Sequence, residues 1–106
     1  MEHYGIERYV VFITAANEEE AAGIATALVA EGLAKCVNIV KDIRSIYFWQ
    51  GKVEDSPECL MIAKTQKAGF PALVERVKAL HSYSVPEIIA LPIVEGSGDY
   101  LKWHDS

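Results

Sequence analysis

Three stretches of this chain, YVVFI at 9–13, CLMIA at 59–63 and IIALPI at 88–93, are apolar at every consecutive position. In a strand, successive side chains project to opposite faces, so an unbroken apolar run marks a strand buried on both sides. The runs are short, and the first and last are rich in β-branched or aromatic residues, which favours strands over helices. Any fold for this chain must therefore cover both faces of a sheet.

Between the runs lie two helical patterns. Asn17 followed by Glu18-Glu19-Glu20 is a helix start: an Asn cap, acidic residues against the positive end of the helix dipole, and Glu20 placed to reach back. Ala21, Ile24, Ala25, Leu28 and Val29 recur at helical spacing, and Gly32 closes the element. Phe70, Leu73, Val74, Val77 and Leu80 form the second amphipathic set, beginning near Gly69 because Pro71 suits only a first turn. Leu33–Lys41, Ile43–Gln50 and Val53–Thr65 read as a long hairpin turning at Gly51-Lys52, with bends near Asp42 and Pro57. Glu87–Val94 is the last strand. Glu95–Gly98 is a loop, and Asp99 caps a short terminal helix carrying Tyr100, Leu101 and Trp103.

The order strand, helix, strand, strand, helix, strand predicts an α+β fold: a ferredoxin-like βαββαβ sandwich with an extended central hairpin and a short C-terminal helix. With 106 residues the chain makes one domain, 1–106. Two helices cover one face of a four-stranded sheet, and the terminal segment is too small to cover the other. About ten side chains removing roughly 500–800 Å² of apolar surface there correspond to a gross gain of roughly 12–20 kcal/mol at about 25 cal/mol per Å². A patch that large rarely stays wet, so self-association is expected.

Charge and composition narrow the partners. A formal net charge of −5 disfavours nucleic acid. RNA-recognition modules share this strand order but need aromatic side chains on the third strand to stack bases, where this chain has CLMIAKT. No apolar run approaches the roughly 18–20 residues of a membrane span, and MEHYGIERY lacks a secretory pattern, so no membrane partner and a cytoplasmic location are expected. The two cysteines, Cys36 and Cys59, fall on different arms of the hairpin. Cys36 is expected opposite position 66 and Cys59 opposite 43 or 44, roughly 25 Å apart and too far for a disulfide.

The chemistry-bearing residues are few. There is no CxxC, HExxH, GxSxG, P-loop or GxGxxG, so no closed zinc site and no catalytic machinery is encoded, and the chain is not expected to be an enzyme. A thiolate at Cys36 suits soft Cu(I), and the His81 imidazole takes Cu(I) or Cu(II). The same residues also read, more simply, as a small core thiol and a helix-end imidazole stabilised by the dipole. Cys59, His3 and His104 are read as incidental. Tyr47-Phe48-Trp49 cannot all face one side of a strand, so part of this triplet meets solvent or a partner. With Lys64-Thr65 and Tyr83-Ser84 it would line a cleft at a subunit boundary, or simply pack between subunits.

VFITAANEEEAAGIATALVAEGLAKCVNIV, RSIYFWQGKVEDSPECLMIAKT, HSYSVPEIIALPI and DYLKW together resemble the CutA family of divalent-cation tolerance proteins, from about Arg8 to Trp103. The resemblance implies a ferredoxin-like subunit, a cytoplasmic homotrimer and a role in tolerance of copper and other divalent metals. It implies Cys36 and His81 as metal ligands, and Tyr47, Trp49, Gly51, Lys52, Lys64, Thr65, Tyr83, Pro86 and Glu87 as positions lining clefts between subunits. Ser82 and Ser84 stand where the family's HPYE motif has proline and glutamate, and Gln50 where its turn has glutamate. The expected function is thus a trimeric, non-catalytic copper-binding protein. Its alternative is a trimeric signalling module holding a small anion through Lys52, Lys64 and Tyr83.

Overall fold

The computed structural model describes residues 5–106. In chain order the elements are β1 (Arg8–Ala15), α1 (Glu18–Ala30), β2 (Cys36–Trp49), β3 (Lys52–Gln66), α2 (Phe70–Leu80), β4 (Ile88–Pro92) and α3 (Gly98–Asp105), with a 3-10 turn at Lys67–Gly69 leading into α2. The four strands form one antiparallel sheet in the order β2-β3-β1-β4, which is the ferredoxin-like arrangement.

Local chemistry explains the element ends. Asn17 Oδ1 accepts from the Glu20 amide at 2.8 Å, while Glu20 Oε1 reaches back to the Ala16 amide at 3.1 Å, one residue beyond the cap itself. At the other end Gly32 adopts φ +73°. The Leu33 amide bonds the Leu28 carbonyl at 2.8 Å and the Gly32 amide bonds that of Val29 at 3.1 Å, a Schellman closure. Helix α2 begins at Phe70 with Gly69 as its cap, and Pro71 falls in the first turn where no intrahelical donor is lost.

The hairpin turns through Gln50 and Gly51, with φ +48° and +80°, between the paired residues Trp49 and Lys52. Two consecutive left-handed residues make the tight turn whose twist matches that of paired strands. The register slips between Val40 and Ile43, where Asp42 also takes a positive φ of 59°. This bulge is the bend expected near Asp42. The tighter turn and the bulge together put Cys36 opposite Lys64 instead of position 66, and both cysteines are free thiols. Pro57 sits opposite Arg44 without breaking the ladder. Alternation from the turn makes that a non-hydrogen-bonded pair, so the proline nitrogen points away from β2, beyond where β1 has ended.

Two boundaries differ from expectation. β4 stops at Pro92 instead of Val94, and α3 begins at Gly98, so Asp99 lies inside its first turn and Ser97 takes the cap position. Part of the GSGD stretch is therefore helical.

Alternation along the strands sorts the two faces. Val11, Ile13, Ala15, Cys59, Met61 and Ala63 point to one side and are buried beneath α1 and α2, against Ile24, Leu28, Leu73 and Val77. On the other side, α3 covers only one end. Arg8, pointing there from β1, is buried in an ion pair with Asp105, its Nε donating at 2.9 Å. Lys35, just before β2, binds the Ser106 carbonyl and hydroxyl at 3.2 and 3.1 Å and lies over the Trp103 ring. The rest of that face keeps large apolar side chains in the open: Ile89 is 55% and Leu91 54% exposed on the edge strand β4, and Val40 is exposed on the opposite edge strand, β2.

Candidate functional site

β1 ends at Ala15, opposite Cys59, while β2 and β3 run on to their turn. The overhanging hairpin and the segment between α2 and β4 enclose an open cleft of about 630 Å³. One wall carries Arg44, Tyr47 and Trp49 from β2; the other carries Tyr83, Val85 and Glu87; Thr14 and Glu58 form the floor. The hairpin wall is greasy and unfinished, with Phe48 and Val53 each 72% exposed at its tip.

The wall formed by residues 81–87 is held in place by three bonds. His81 Nε2 lies 2.7 Å from the Thr14 carbonyl oxygen, and His81 Nδ1 accepts from the Tyr83 amide at 3.0 Å. An amide can only donate and a carbonyl only accept, so His81 is neutral and carries its proton on Nε2. Glu20 Oε2 accepts from the Ser82 amide at 2.9 Å. Burial pushes the Glu20 carboxyl up, but the hydrogen bonds from Ser82 and Ala16 outweigh it and leave its pKa below the usual value.

Glu58 is the cleft's most constrained charge. It is only 6% exposed, and its Oε2 accepts from the Tyr83 hydroxyl at 2.6 Å. Burial, then the hydrogen bond and charge of Glu58, raise the Tyr83 phenol above its ordinary range, so it stays protonated and donates. Among the described residues no side chain bonds the other Glu58 oxygen. Glu87 adds a second carboxylate to the lining. Arg44, the one lining cation among the described residues, is already held by Asp55 through two donors at 2.9 and 2.6 Å. The cleft is therefore better matched to a cation than to an anion.

The sequence candidates divide between two places. Tyr47, Trp49, Tyr83 and Glu87 meet in the cleft. Lys52 lies at the hairpin turn and Lys64 beside Asn38, to which its ammonium donates, so neither lines it. Thr65 is buried, with its hydroxyl on the Leu33 carbonyl at 2.8 Å. Cys36 sits at the far end of the sheet, its Sγ 3.7 Å from the Tyr100 hydroxyl. Burial, then contact with Cys36, raises the Tyr100 phenol. Cys36 pairs with Lys64, which pairs with Val10, whereas His81 touches Thr14. Four residues along β1 and two strands across is roughly 16 Å, so Cys36 and His81 do not meet within one chain. Among the described residues no group of three or more His, Cys, Asp or Glu side chains is arranged to hold a metal ion.

Sequence reasoning passed over Glu58 and Arg44, and read Glu20 only as a helix-capping residue. Glu58 had a legible signal: it opens the run ECLMIA at a position whose alternation sets it on the same face as Leu60 and Ile62. A lone acid in such a run is buried only with a donor at hand.

The family model described as "CutA1 divalent ion tolerance protein" matches residues 9–106. The protein named "Divalent-cation tolerance protein CutA" from Thermus thermophilus is 58% identical over 94 residues, covering 89% of this chain and 91% of that one. The chloroplastic protein CutA 1 of rice is 49% identical over 94 residues; the match covers 89% of this chain and 53% of that longer protein. Solved structures agree. The Thermus thermophilus protein superimposes with a TM-score of 0.89 at 57% identity, covering 92% of this chain and 94% of that one. The Archaeoglobus fulgidus structure, titled a periplasmic divalent cation tolerance protein, superimposes with a TM-score of 0.90 at 43% identity, covering 92% and 95%. With a family match spanning nearly the whole chain and a fold to agree, this chain belongs to the CutA1 divalent ion tolerance family.

Proposed function

We propose that the protein acts in divalent-cation tolerance as a cytoplasmic homotrimer that binds a copper ion, with Cys36 as the thiolate ligand. The observation that carries the assembly is the open sheet face, where Ile89 and Leu91 remain more than half exposed on strands otherwise built for burial. Copies that share this face would remove it from water. Cys36 points to that same face from the first residue of β2, as a free, partly exposed thiol beside a phenol. A soft thiolate donor there suits Cu(I), and binding would release the thiol proton to solvent. His81 stands apart, since both its ring nitrogens already serve the backbone.

A second reading rests on Glu58, whose unbonded oxygen and nearby Glu87 would hold a hard divalent cation in the cleft. Metal titration separates the two. Cu(I) binding should be abolished by Cys36→Ala and unchanged by Glu58→Gln; Mn(II) binding weakened by Glu58→Gln but not by Cys36→Ala would favour the cleft. A Cys36→Ala protein that holds copper with wild-type stoichiometry and affinity overturns the thiolate assignment.

A further inference from the structure

Helix α3 carries a buried polar group that the fold leaves unfinished. His104 is 5% exposed, and its Nδ1 lies 3.2 Å from Asp105 Oδ1. The carboxylate accepts, so Nδ1 carries the proton and Nε2 presents a lone pair. Among the described residues, His104 Nε2 is the buried side-chain nitrogen or oxygen with no hydrogen-bond partner. Leaving such a group unpaired is destabilising, and a leucine of similar volume would avoid it. A carboxylate on one imidazole nitrogen and a bare, fixed lone pair on the other is also the arrangement that orients a histidine toward a metal.

The same helix also touches the thiol. Tyr100, one turn before His104, touches Cys36 Sγ at 3.7 Å. Ser106 and Trp103, at the same end of the helix, are held by Lys35, the residue next to Cys36. Residues four apart share a helix face, so His104 lies on the side of α3 from which Tyr100 reaches Cys36. We infer that His104 Nε2 is the nitrogen ligand that pairs with the Cys36 thiolate in a two-coordinate Cu(I) site, in place of His81. One sulfur and one imidazole suffice for Cu(I), and no third protein ligand is called for. Binding would be a ligation without change of oxidation state: Cu(I) enters, one thiol proton leaves, and Asp105 keeps its bond to Nδ1.

This inference rests on the copper reading, and competition against a chromogenic Cu(I) chelator tests the two separately. In the intact protein, His104→Leu should fold, match or exceed the wild-type apo melting temperature, and lose at least about tenfold in Cu(I) affinity. His81→Gln should leave affinity within twofold. In wild-type protein, adding Cu(I) should move the imidazole 15N resonance of His104 Nε2 and not those of His81. Copper binding that needs Cys36 but leaves both the His104 resonance and the His104→Leu affinity unchanged overturns the inference while sparing the thiolate. A wild-type protein that takes up no Cu(I) overturns both.

Discussion

The two faces of the sheet are made by alternate residues of the same strands, yet they end differently. Val11, Ile13, Met61 and Ala63 are sealed beneath two helices, while their neighbours in sequence turn toward a face that α3 covers only at the Arg8 end. A strand cannot be apolar on one side by accident when both sides carry the same kind of residue. The closed face is finished by this chain, and the open face is the one assigned above to the proposed partner copies. The cleft belongs to the open region, since one of its walls is a hairpin overhanging the point where β1 stops.

The largest effect should come from charging the open face. Ile89→Asp with Leu91→Asp places two carboxylates where copies would meet, and light scattering at micromolar concentration should show monomer instead of trimer, with circular dichroism still native. Met61→Ala on the closed face should do the converse. It should cost about 2–5 kcal/mol in denaturant unfolding while leaving the assembly's stoichiometry unchanged. If the doubly charged protein keeps the wild-type mass, the open face is not the seam and the contrast between the faces collapses.

A smaller effect probes the floor of the cleft. Tyr83→Phe removes the donor at 2.6 Å from a carboxylate that is 6% exposed, which should cost about 1–3 kcal/mol. The effect also carries a pH signature. The folded Tyr83 phenol titrates above its ordinary value, through burial first and Glu58 second. Its stabilisation is therefore fully present below the unfolded value of about 10 and is lost as pH rises toward the folded one. Urea unfolding at pH 8, 10 and 11 should show the wild-type advantage over Tyr83→Phe shrinking only above about pH 10. An advantage that is flat throughout would mean that the phenol titrates alike in the folded and the unfolded chain.

Much of this was readable before any coordinates, for physical reasons that also mark where reading stops. Strand and helix identities follow from runs and periodicity, and Asn17, Gly32 and Pro71 carry their own boundary signals because each satisfies or removes a specific backbone group. Register was off by two positions at Cys36, one from the tighter turn at Gln50-Gly51 and one from a bulge at Asp42 that is decided by one residue's backbone angle. The cleft's aromatic wall could be foreseen from Tyr47 and Trp49. Its electrostatics could not: Glu58, Glu20 and His81 take their roles from partners 25, 62 and 67 positions away in the chain, and pairings that distant leave no local pattern. Lys52 and Lys64 show the reverse. Their chemistry suggested an anion site, and the fold sends both elsewhere.

The smallest expected effect sits at the hairpin tip. Gln50 holds φ +48° as the first of two left-handed residues, a conformation that costs most side chains energy and asparagine much less. Gln50→Asn should therefore raise stability, by about 0.5 kcal/mol, through relief of strain that is local to the turn. Local strain does not depend on how many copies are present, so the gain should be the same across a hundredfold range of protein concentration. A gain that grows or shrinks with concentration would mean that the tip, with Phe48 and Val53 bare on either side of it, is clasped by a second copy and belongs to the open face energetically as well as in space.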